Sequence, residues 1–200
     1  MSKRERTQLE ILKAAKQIID AEGHEAITVR KLSEFTGYSH TNLYYYFKNL
    51  DDLLWRLRLV VIEDMINELS NQSKDIASPI NELLENLYRY IEYYFDHPNI
   101  FRFFYFFKFV KPGNDVESEK TEDDFDAMWK ISFKKLVDED LINVSDVEVV
   151  INTLIYSIHG IILLNLSLEQ PIHKLSIKKQ LEEQIYHLLK QKNSIEEAAK

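Results

Sequence analysis

The sequence predicts an all-α protein, and two observations carry this prediction. The 200 residues include only four glycines and four prolines, so few positions interrupt a helix. Apolar residues recur at the three- and four-residue spacing of a helix in one segment after another, whereas the alternation of a half-buried strand is missing from the sequence. We therefore expect about nine helices, arranged as an N-terminal three-helix domain followed by a C-terminal helical domain.

The most distinctive segment runs from Thr28 to Leu53 and contains two short helical patterns that meet at Gly37. Thr28 can cap the first pattern and Ser39 the second, because a side-chain hydroxyl accepts hydrogen bonds from the free N–H groups at a helix start. Gly37 supplies the left-handed conformation that often ends a helix. Two helices joined by so short a turn predict a helix-turn-helix, in which the second helix enters a DNA groove.

Helical patterns also account for the flanking segments. The first helix is predicted from about Thr7 to Glu22, ahead of the helix-turn-helix. Later helix starts, each marked by a capping residue or a proline, are predicted at Asn49, Ser78-Pro79, Pro98 and a capping box from Ser145 to Glu148. Because neither glycine nor proline follows residue 50 closely, the fourth helix, about residues 50–70, is predicted to link a domain of residues 1–50 to a domain of residues 51–200.

The charge distribution separates these two predicted domains. The whole chain has a net charge of −8, which by itself argues against nucleic acid, but residues 1–50 carry +2 and residues 51–200 carry −10. Since salt screens a charge over about 10 Å, a basic end can bind a phosphate backbone on an otherwise acidic protein. The absence of cysteine excludes disulfides and thiolate metal sites. We expect a cytoplasmic protein without a signal peptide.

Residues 145–168 are apolar enough to raise the question of a membrane span. Five polar residues interrupt the segment: Asp146, Glu148, Asn152, His159 and Asn165. Such interruptions favour a buried helix over a span. We therefore expect no membrane association.

The residue order of the first domain resembles the N-terminal DNA-binding domain of the TetR family of bacterial transcriptional repressors. The resemblance covers roughly residues 7–55 and rests on Thr28, Arg30, Leu32, Gly37, Ser39, Leu43, Tyr44, Tyr46, Phe47, Asn49 and Leu53. One position departs, because Leu50 stands where the family usually has lysine. The resemblance implies a double-stranded palindromic DNA operator, an unknown small-molecule effector, and a homodimer formed through helices eight and nine.

DNA contacts are assigned from helix geometry and from this resemblance. Leu43 and Phe47, four residues apart, share an inward face, so the opposite face is left for base edges. Asn42 can bind adenine in a bidentate way, and the methyl of Thr41 can touch a thymine methyl. Tyr44 and Tyr46 are phosphate contacts by resemblance. The full predicted DNA-contact set is Thr28, Arg30, Ser39, His40, Thr41, Asn42, Tyr44, Tyr45, Tyr46 and Lys48. The alternative for the three tyrosines is ordinary half-buried packing.

An excess of aromatic residues marks the second domain. The segment from Tyr88 to Phe109 holds 12 of the 24 aromatic residues of the chain. By resemblance to the effector pocket of the family, these rings predict a cavity for an apolar or planar ligand; the alternative is a core rich in phenylalanine. The predicted effector set is Tyr90, Tyr94, Phe104, Phe107, Trp129, Phe133, Tyr156 and His159.

Enzymatic function is not expected, because no catalytic set, glycine-rich phosphate loop or paired-carboxylate arrangement is discernible in the sequence. Glu183 and His187 share a helix face but are too few for a metal site, so neither metal nor cofactor is predicted. We expect a ligand-responsive, sequence-specific repressor. The alternative, which Leu50 and the net charge favour, is a helical ligand-binding or interaction module without operator binding.

Overall fold

The computed structural model describes residues 1–70, 78–111, 129–168 and 174–198. Its helices, in chain order, are α1 (Lys3–Glu22), α2 (Val29–Thr36), α3 (His40–Tyr46), α4 (Leu50–Ser70), α5 (Pro79–Asp96), α6 (Pro98–Phe106), α7 (129–138), α8 (Val147–Ser167) and α9 (Lys174–Ala198). Short 3₁₀ turns precede α2 and α8, and no strand occurs among the residues described. The all-α prediction is confirmed. The sequence also predicts a loop from Lys111 to Asp124, where polar and charged residues predominate, and residues 112–124 lie outside the described residues.

Contacts divide the chain into two compact units. The N-terminal unit comprises Met1–Glu68 and Asp96–Phe125, and the C-terminal unit comprises Leu69–Phe95 and Asp126–Lys200. Nearly all of α4, together with α6, therefore packs with the first three helices. This division follows contacts, and the functional division at residue 50 stays a prediction.

The start of α1 is earlier than the apolar pattern predicts. The Ser2 hydroxyl accepts a hydrogen bond from the Glu5 N–H at 3.2 Å, and the Glu5 carboxylate accepts one from the Ser2 N–H at 2.9 Å. These bonds from the Ser2 backbone and hydroxyl lower the pKa of Glu5. The capping box adds a polar first turn to the helix, a turn that an apolar stripe cannot reveal.

At the start of α8 the predicted capping box is wrong. Val144–Asp146 forms a 3₁₀ turn, and α8 then begins at Val147 without a side-chain cap. Because Ser145 lies inside that turn, its hydroxyl donates to the Asp146 carboxylate at 3.0 Å instead of capping the helix. The predicted starts of α5 at Pro79 and α6 at Pro98 are confirmed.

Each unit has its own apolar core. In the N-terminal unit, α1 buries five residues, and α6 packs against α1. The largest fully buried side chains of this unit include Ile11, Ile18, Ile19, Leu32, Leu57, Ile62, Met65, Ile100 and Phe103. In the C-terminal unit, α5, α8 and α9 bury, among others, Leu83, Ile91, Tyr94, Leu154, Ile158, Ile162, Leu181 and Ile185.

Candidate DNA-binding surface and effector cluster

Local hydrogen bonds fix the helix-turn-helix as the sequence predicts. The Thr28 hydroxyl oxygen accepts from the N–H of Lys31 at 3.1 Å and caps α2. Gly37 ends that helix in the left-handed conformation, with φ of 74°. The Ser39 hydroxyl oxygen then accepts from the N–H of Asn42 at 3.2 Å and starts α3. These three predictions are confirmed.

The turn from α3 into α4 is held by a carboxylate whose role sequence reasoning missed. Asn49 caps α4 as predicted, since its side-chain oxygen accepts from the N–H of Asp52 at 2.8 Å. Asp52 is only 8% exposed, and its carboxylate accepts from the Lys48 N–H at 2.9 Å and from Arg56 Nε at 3.0 Å. The backbone that follows the recognition helix is thus tied to α4. The signal was present in the sequence as the Asn49-x-x-Asp52 spacing.

Recognition helix α3 has one anchored face and one exposed face. Leu43 and Phe47 are buried, each only 3% exposed, and hold the helix on the core of the unit. Nine of the ten predicted DNA contacts are exposed: Thr28, Arg30, Ser39, His40, Thr41, Asn42, Tyr44, Tyr45 and Lys48. The tenth, Tyr46, is half-buried, with its ring 6.4 Å from that of Tyr38 and 5.1 Å from that of Tyr45. The exposed face is polar and aromatic, as groove contact requires.

Two of these side chains retain a free donor, and one is engaged elsewhere. The hydroxyls of Thr28 and Ser39 accept backbone bonds, so their O–H groups remain able to donate to a phosphate oxygen. Arg30 Nε donates to the Glu34 carboxylate at 2.9 Å, with both side chains more than half exposed. The remaining N–H groups of the guanidinium can still donate to DNA, but the Glu34 carboxylate beside them would repel a phosphate.

Phe35 of α2 does not lie on the face that the sequence pattern predicts. The sequence pattern aligns Phe35 with Val29 and Leu32 on the inward face of α2, yet Phe35 is 55% exposed whereas Leu32 is fully buried. Helix α2 has only eight residues and packs through Leu32, so a residue three positions later lies at the edge of the contact.

Leu50, the departure from the family pattern, has a packing role. It is half-buried and lines a small apolar crevice among α2, α3 and α4. The other residues of the crevice are Val29, Leu32, Leu43, Tyr44, Phe47, Asn49 and Leu53. An apolar side chain suits this position structurally, although it cannot bind a phosphate.

A basic residue at the start of α1 lies against the recognition helix, and the predicted set omitted it. The Arg4 guanidinium donates to the Tyr45 carbonyl oxygen at 3.3 Å, and it lies 5.2 Å from the centre of the Tyr45 ring. Gln8 Nε2 donates to the Tyr46 carbonyl oxygen at 3.0 Å. Because these partners are some 40 residues apart in the chain, only the basic composition of the N-terminus could have pointed to them.

In the C-terminal unit, four of the predicted effector residues form one cluster around Tyr90. Its hydroxyl lies 3.1 Å from His159 Nε2, and its ring is 5.0 Å from Tyr94 and 5.7 Å from Trp129, both edge-on. Burial lowers the pKa of His159, against a smaller opposing effect from a hydrogen bond to the Ile155 backbone. A neutral ring bonded to a backbone carbonyl through Nδ1–H leaves Nε2 as the acceptor, so the Tyr90 hydroxyl is the donor.

The other four predicted effector residues lie in different environments. Phe133 is buried in the same unit, and Tyr156 is 73% exposed on α8. Phe104 and Phe107 belong to the N-terminal unit, where Phe104 lies under the Arg58 guanidinium at 5.0 Å. The sequence predicts one ligand cavity lined by all eight residues, because no sequence pattern shows the unit to which α6 belongs.

Helix α8 exposes an apolar face despite its buried one. The exposed apolar side chains of α8 are Val149, Ile155, Tyr156, Leu163 and Leu164. Gly160 adds to this region, since a Cβ placed there would meet no atom within 4 Å. By length and composition the segment Val144–Ser167, with a mean hydropathy of 1.8, could cross a membrane, and 22% of its apolar window is buried. The expectation of a buried helix therefore holds for one face only.

Comparisons with known proteins agree on a single class. Residues 11–57 match the family described as bacterial regulatory proteins, tetR family. An uncharacterized HTH-type transcriptional regulator of Bacillus subtilis (strain 168), YfiR, is 27% identical over 90 residues, an alignment that spans 42% of this chain and 44% of that protein. The chain thus spans less than half the length of this relative.

Two solved structures resemble the fold over most of the chain. The regulator FadR from Bacillus subtilis in complex with stearoyl-CoA is 16% identical, with a TM-score of 0.66 over 88% of this chain and 96% of that one. AibR in complex with isovaleryl coenzyme A and operator DNA is 14% identical, with a TM-score of 0.63 over 88% and 95%. At these identities the likeness shows the fold. Together with the match at residues 11–57, it shows an all-helical fold like that of these regulators, with a helix-turn-helix segment at the N-terminus that is similar to the tetR family.

Proposed function

We propose that this protein is a cytoplasmic homodimeric repressor that leaves a palindromic operator when a small ligand with an apolar moiety binds its C-terminal unit. The observation that carries operator binding is the division of α3 into a buried face, held by Leu43 and Phe47, and an exposed polar and aromatic face. A helix anchored on one side and polar on the other fits the major groove.

Base recognition is assigned to the first turn of α3. His40, Thr41 and Asn42 are exposed there, immediately after the Ser39 cap. Asn42 offers an amide that can bind adenine, and Thr41 offers a methyl for thymine. Tyr44, Tyr45 and the hydroxyls of the capping residues flank this turn as candidates for backbone phosphates, with Tyr46 half-buried behind them.

Dimerisation is assigned to the exposed apolar face of α8, together with α9. On α8, Val149, Tyr156 and Leu163 recur every seven residues and are 66%, 73% and 45% exposed. This spacing is the repeat of a helix that packs along a second helix, and Gly160 leaves room for a close approach. An exposed apolar face of this kind on a soluble protein marks an interface. The two recognition helices would then lie about 34 to 36 Å apart in the operator-bound dimer.

The effector site is assigned to the Tyr90, Tyr94, Trp129 and His159 cluster. Its edge-on rings and neutral imidazole suit an apolar ligand that carries a polar group near one end. Because FadR and AibR are described in complex with acyl-CoA molecules, acyl-CoA thioesters are the first ligand class to examine. A ligand that prefers a conformer with the wrong spacing of the recognition helices would oppose DNA binding by linkage.

A binding experiment on promoter DNA tests this function. Duplexes that cover the promoter next to the protein's own gene are titrated by fluorescence anisotropy, with Asn42→Ala as the recognition variant and Lys13→Ala, at an exposed position on α1, as the control. We expect a salt-sensitive complex that Asn42→Ala weakens and that acyl-CoA molecules of different chain lengths dissociate. Binding no tighter than to random DNA would overturn the repressor assignment, and a complex indifferent to every apolar ligand would overturn the effector assignment.

A further inference from the structure

We propose that the first turn of α1 is a second DNA-contact surface, in which Arg4 binds a backbone phosphate beside the groove that α3 occupies and Lys3 and Arg6 add positive charge. The inference rests on the proposed operator binding and adds residues that lie outside the helix-turn-helix. All three side chains are exposed.

Placement of the surface follows from Arg4. Its guanidinium donates to the Tyr45 carbonyl near the end of the recognition helix and lies over the ring of the same residue, at 5.2 Å from the centre. Gln8, one helical turn further along α1, donates to the next carbonyl, that of Tyr46. The start of α1 is therefore fastened to α3, and a duplex that reaches the exposed Tyr45 side chain comes within range of Arg4.

The charges of this turn work against the stability of the helix. Three cations lie in the first four residues of α1, where the positive end of the helix dipole repels them. The single acidic residue among residues 1–9 is Glu5, and its carboxylate already accepts a hydrogen bond in the capping box with Ser2. Cations at an unfavourable position, one of which, Arg4, contacts the recognition helix, are explained by an anionic partner. DNA is the polyanion that the exposed face of α3 already selects.

Arginine suits this contact better than lysine. A guanidinium that stacks on an aromatic ring and donates to a carbonyl still has N–H groups for a phosphate. Arg4 can therefore keep its contact with Tyr45 and bind a phosphate oxygen with its remaining donors. Tyr45 then serves as a platform that orients the guanidinium.

The slope of affinity against salt tests the inference. Wild type, Arg4→Ala, Arg4→Lys and Lys13→Ala are titrated with the operator duplex and with a random duplex of equal length, at 50 to 300 mM KCl. Lys13 lies nine residues further along α1, about 14 Å away, beyond the screening length, and its removal changes the net charge equally.

We expect Arg4→Ala to weaken operator binding roughly three- to tenfold. Its slope of log K against log salt should fall by about 2 per dimer, since each lost phosphate contact contributes about 0.9. Binding to both duplexes should weaken equally, because phosphate contacts carry no sequence information. Arg4→Lys should retain the slope, and Lys13→Ala should match wild type.

Two results separate failure of this inference from failure of the proposed function. If wild type binds the operator and Arg4→Ala loses affinity with an unchanged slope, Arg4 only positions α3 and the inference is overturned. If wild type forms no salt-sensitive operator complex, the proposed function falls, and this inference with it. Circular dichroism melts of all four proteins show that the slopes are compared between folded states.

Discussion

The Tyr90 hydroxyl donates to His159 Nε2 across 3.1 Å, and this bond joins α5 to α8 inside the C-terminal unit. Tyr90 is only 5% exposed, and the histidine is neutral because burial lowers its pKa. The bond therefore satisfies a buried donor and a half-buried acceptor at once. It also gives the proposed effector site a polar pair beside the Tyr94 and Trp129 rings, which contact the Tyr90 ring edge-on.

Removing the Tyr90 hydroxyl should destabilise this unit. In Tyr90→Phe, His159 Nε2 loses its donor, and an unsatisfied half-buried acceptor should cost about 1 kcal/mol, the lower end of the range for buried groups. Denaturant unfolding should show that loss, whereas Tyr186→Phe, at a 37% exposed tyrosine on α9, should match wild type. Equal unfolding free energies for all three proteins would mean that the bond contributes nothing in solution.

Acidification should destabilise the protein through His159. Its folded-state pKa lies below the ordinary value of 6.5 because burial disfavours the imidazolium, so the unfolded chain binds the proton more tightly. Stability should therefore be highest above about pH 6.5 and decline as the pH falls from there towards the lower folded-state pKa. In His159→Gln this contribution is absent.

The measurement is the difference in unfolding free energy between pH 8 and pH 5.5 for wild type and His159→Gln. We expect wild type to lose more stability than the variant over this interval. A larger loss in the variant would contradict the assignment of a buried neutral imidazole.

The exposed face of α8 should control assembly. Leu163→Asp places a charge on a side chain that is 45% exposed within one chain, so the protomer itself should stay folded. In a helix-to-helix interface the same charge would be buried without a partner. Light scattering after size exclusion should report a dimer for wild type and a monomer for Leu163→Asp. Val110→Asp, at a 60% exposed position in the N-terminal unit, should remain dimeric.

How far the sequence predicts this protein depends on the range of the interaction. The caps at Thr28, Ser39 and Asn49 are local hydrogen bonds over three residues, so residue type and spacing suffice. The helical pattern predicts that Phe35 points inward, yet its side chain is exposed. A short helix offers too few residues to define its packing face. The contact between Arg4 and Tyr45 depends on tertiary packing, which no periodicity contains.

The effector residues show the same limit more clearly. The aromatic composition led to the prediction of Tyr90, Tyr94, Trp129 and His159, which the structure brings together, and their role in effector binding stays a prediction. Composition alone could not separate them from Tyr156. This residue lies within four residues of two core positions of α8, but its own side chain is exposed. One helical turn decides which of two surfaces an aromatic residue serves.

The ion pair of Arg30 with Glu34 should compete with operator binding. Both side chains are largely exposed, so the pair adds little stability. It nevertheless keeps Arg30 next to the Glu34 carboxylate, which would repel phosphates. Glu34→Gln should therefore tighten operator binding about two- to fivefold. Glu25→Gln removes the same charge from a side chain that is 79% exposed. An equal gain in both variants would attribute the effect to net charge alone.

Two glycines should respond in opposite directions to the same substitution. Gly37 has φ of 74°, and a Cβ added there meets no atom within 4 Å, so Gly37→Ala suffers only from the left-handed backbone, a cost of about 1 to 2 kcal/mol. Gly160 is helical and equally open, so Gly160→Ala should stabilise the isolated protomer by about 0.5 to 1 kcal/mol through higher helix propensity.

If α8 packs closely on its copy, the added methyl at Gly160 should also weaken the dimer, since it enters the face that Tyr156 and Leu163 define. Chemical unfolding at low protein concentration measures the protomer term, and sedimentation over a concentration series measures the dimer term. We expect Gly160→Ala to raise the free energy of unfolding of the protomer and to weaken the dimer. Gly37→Ala should lower that free energy and leave the affinity of the dimer unchanged. A Gly160→Ala dimer as tight as wild type would place the dimer contact away from Gly160.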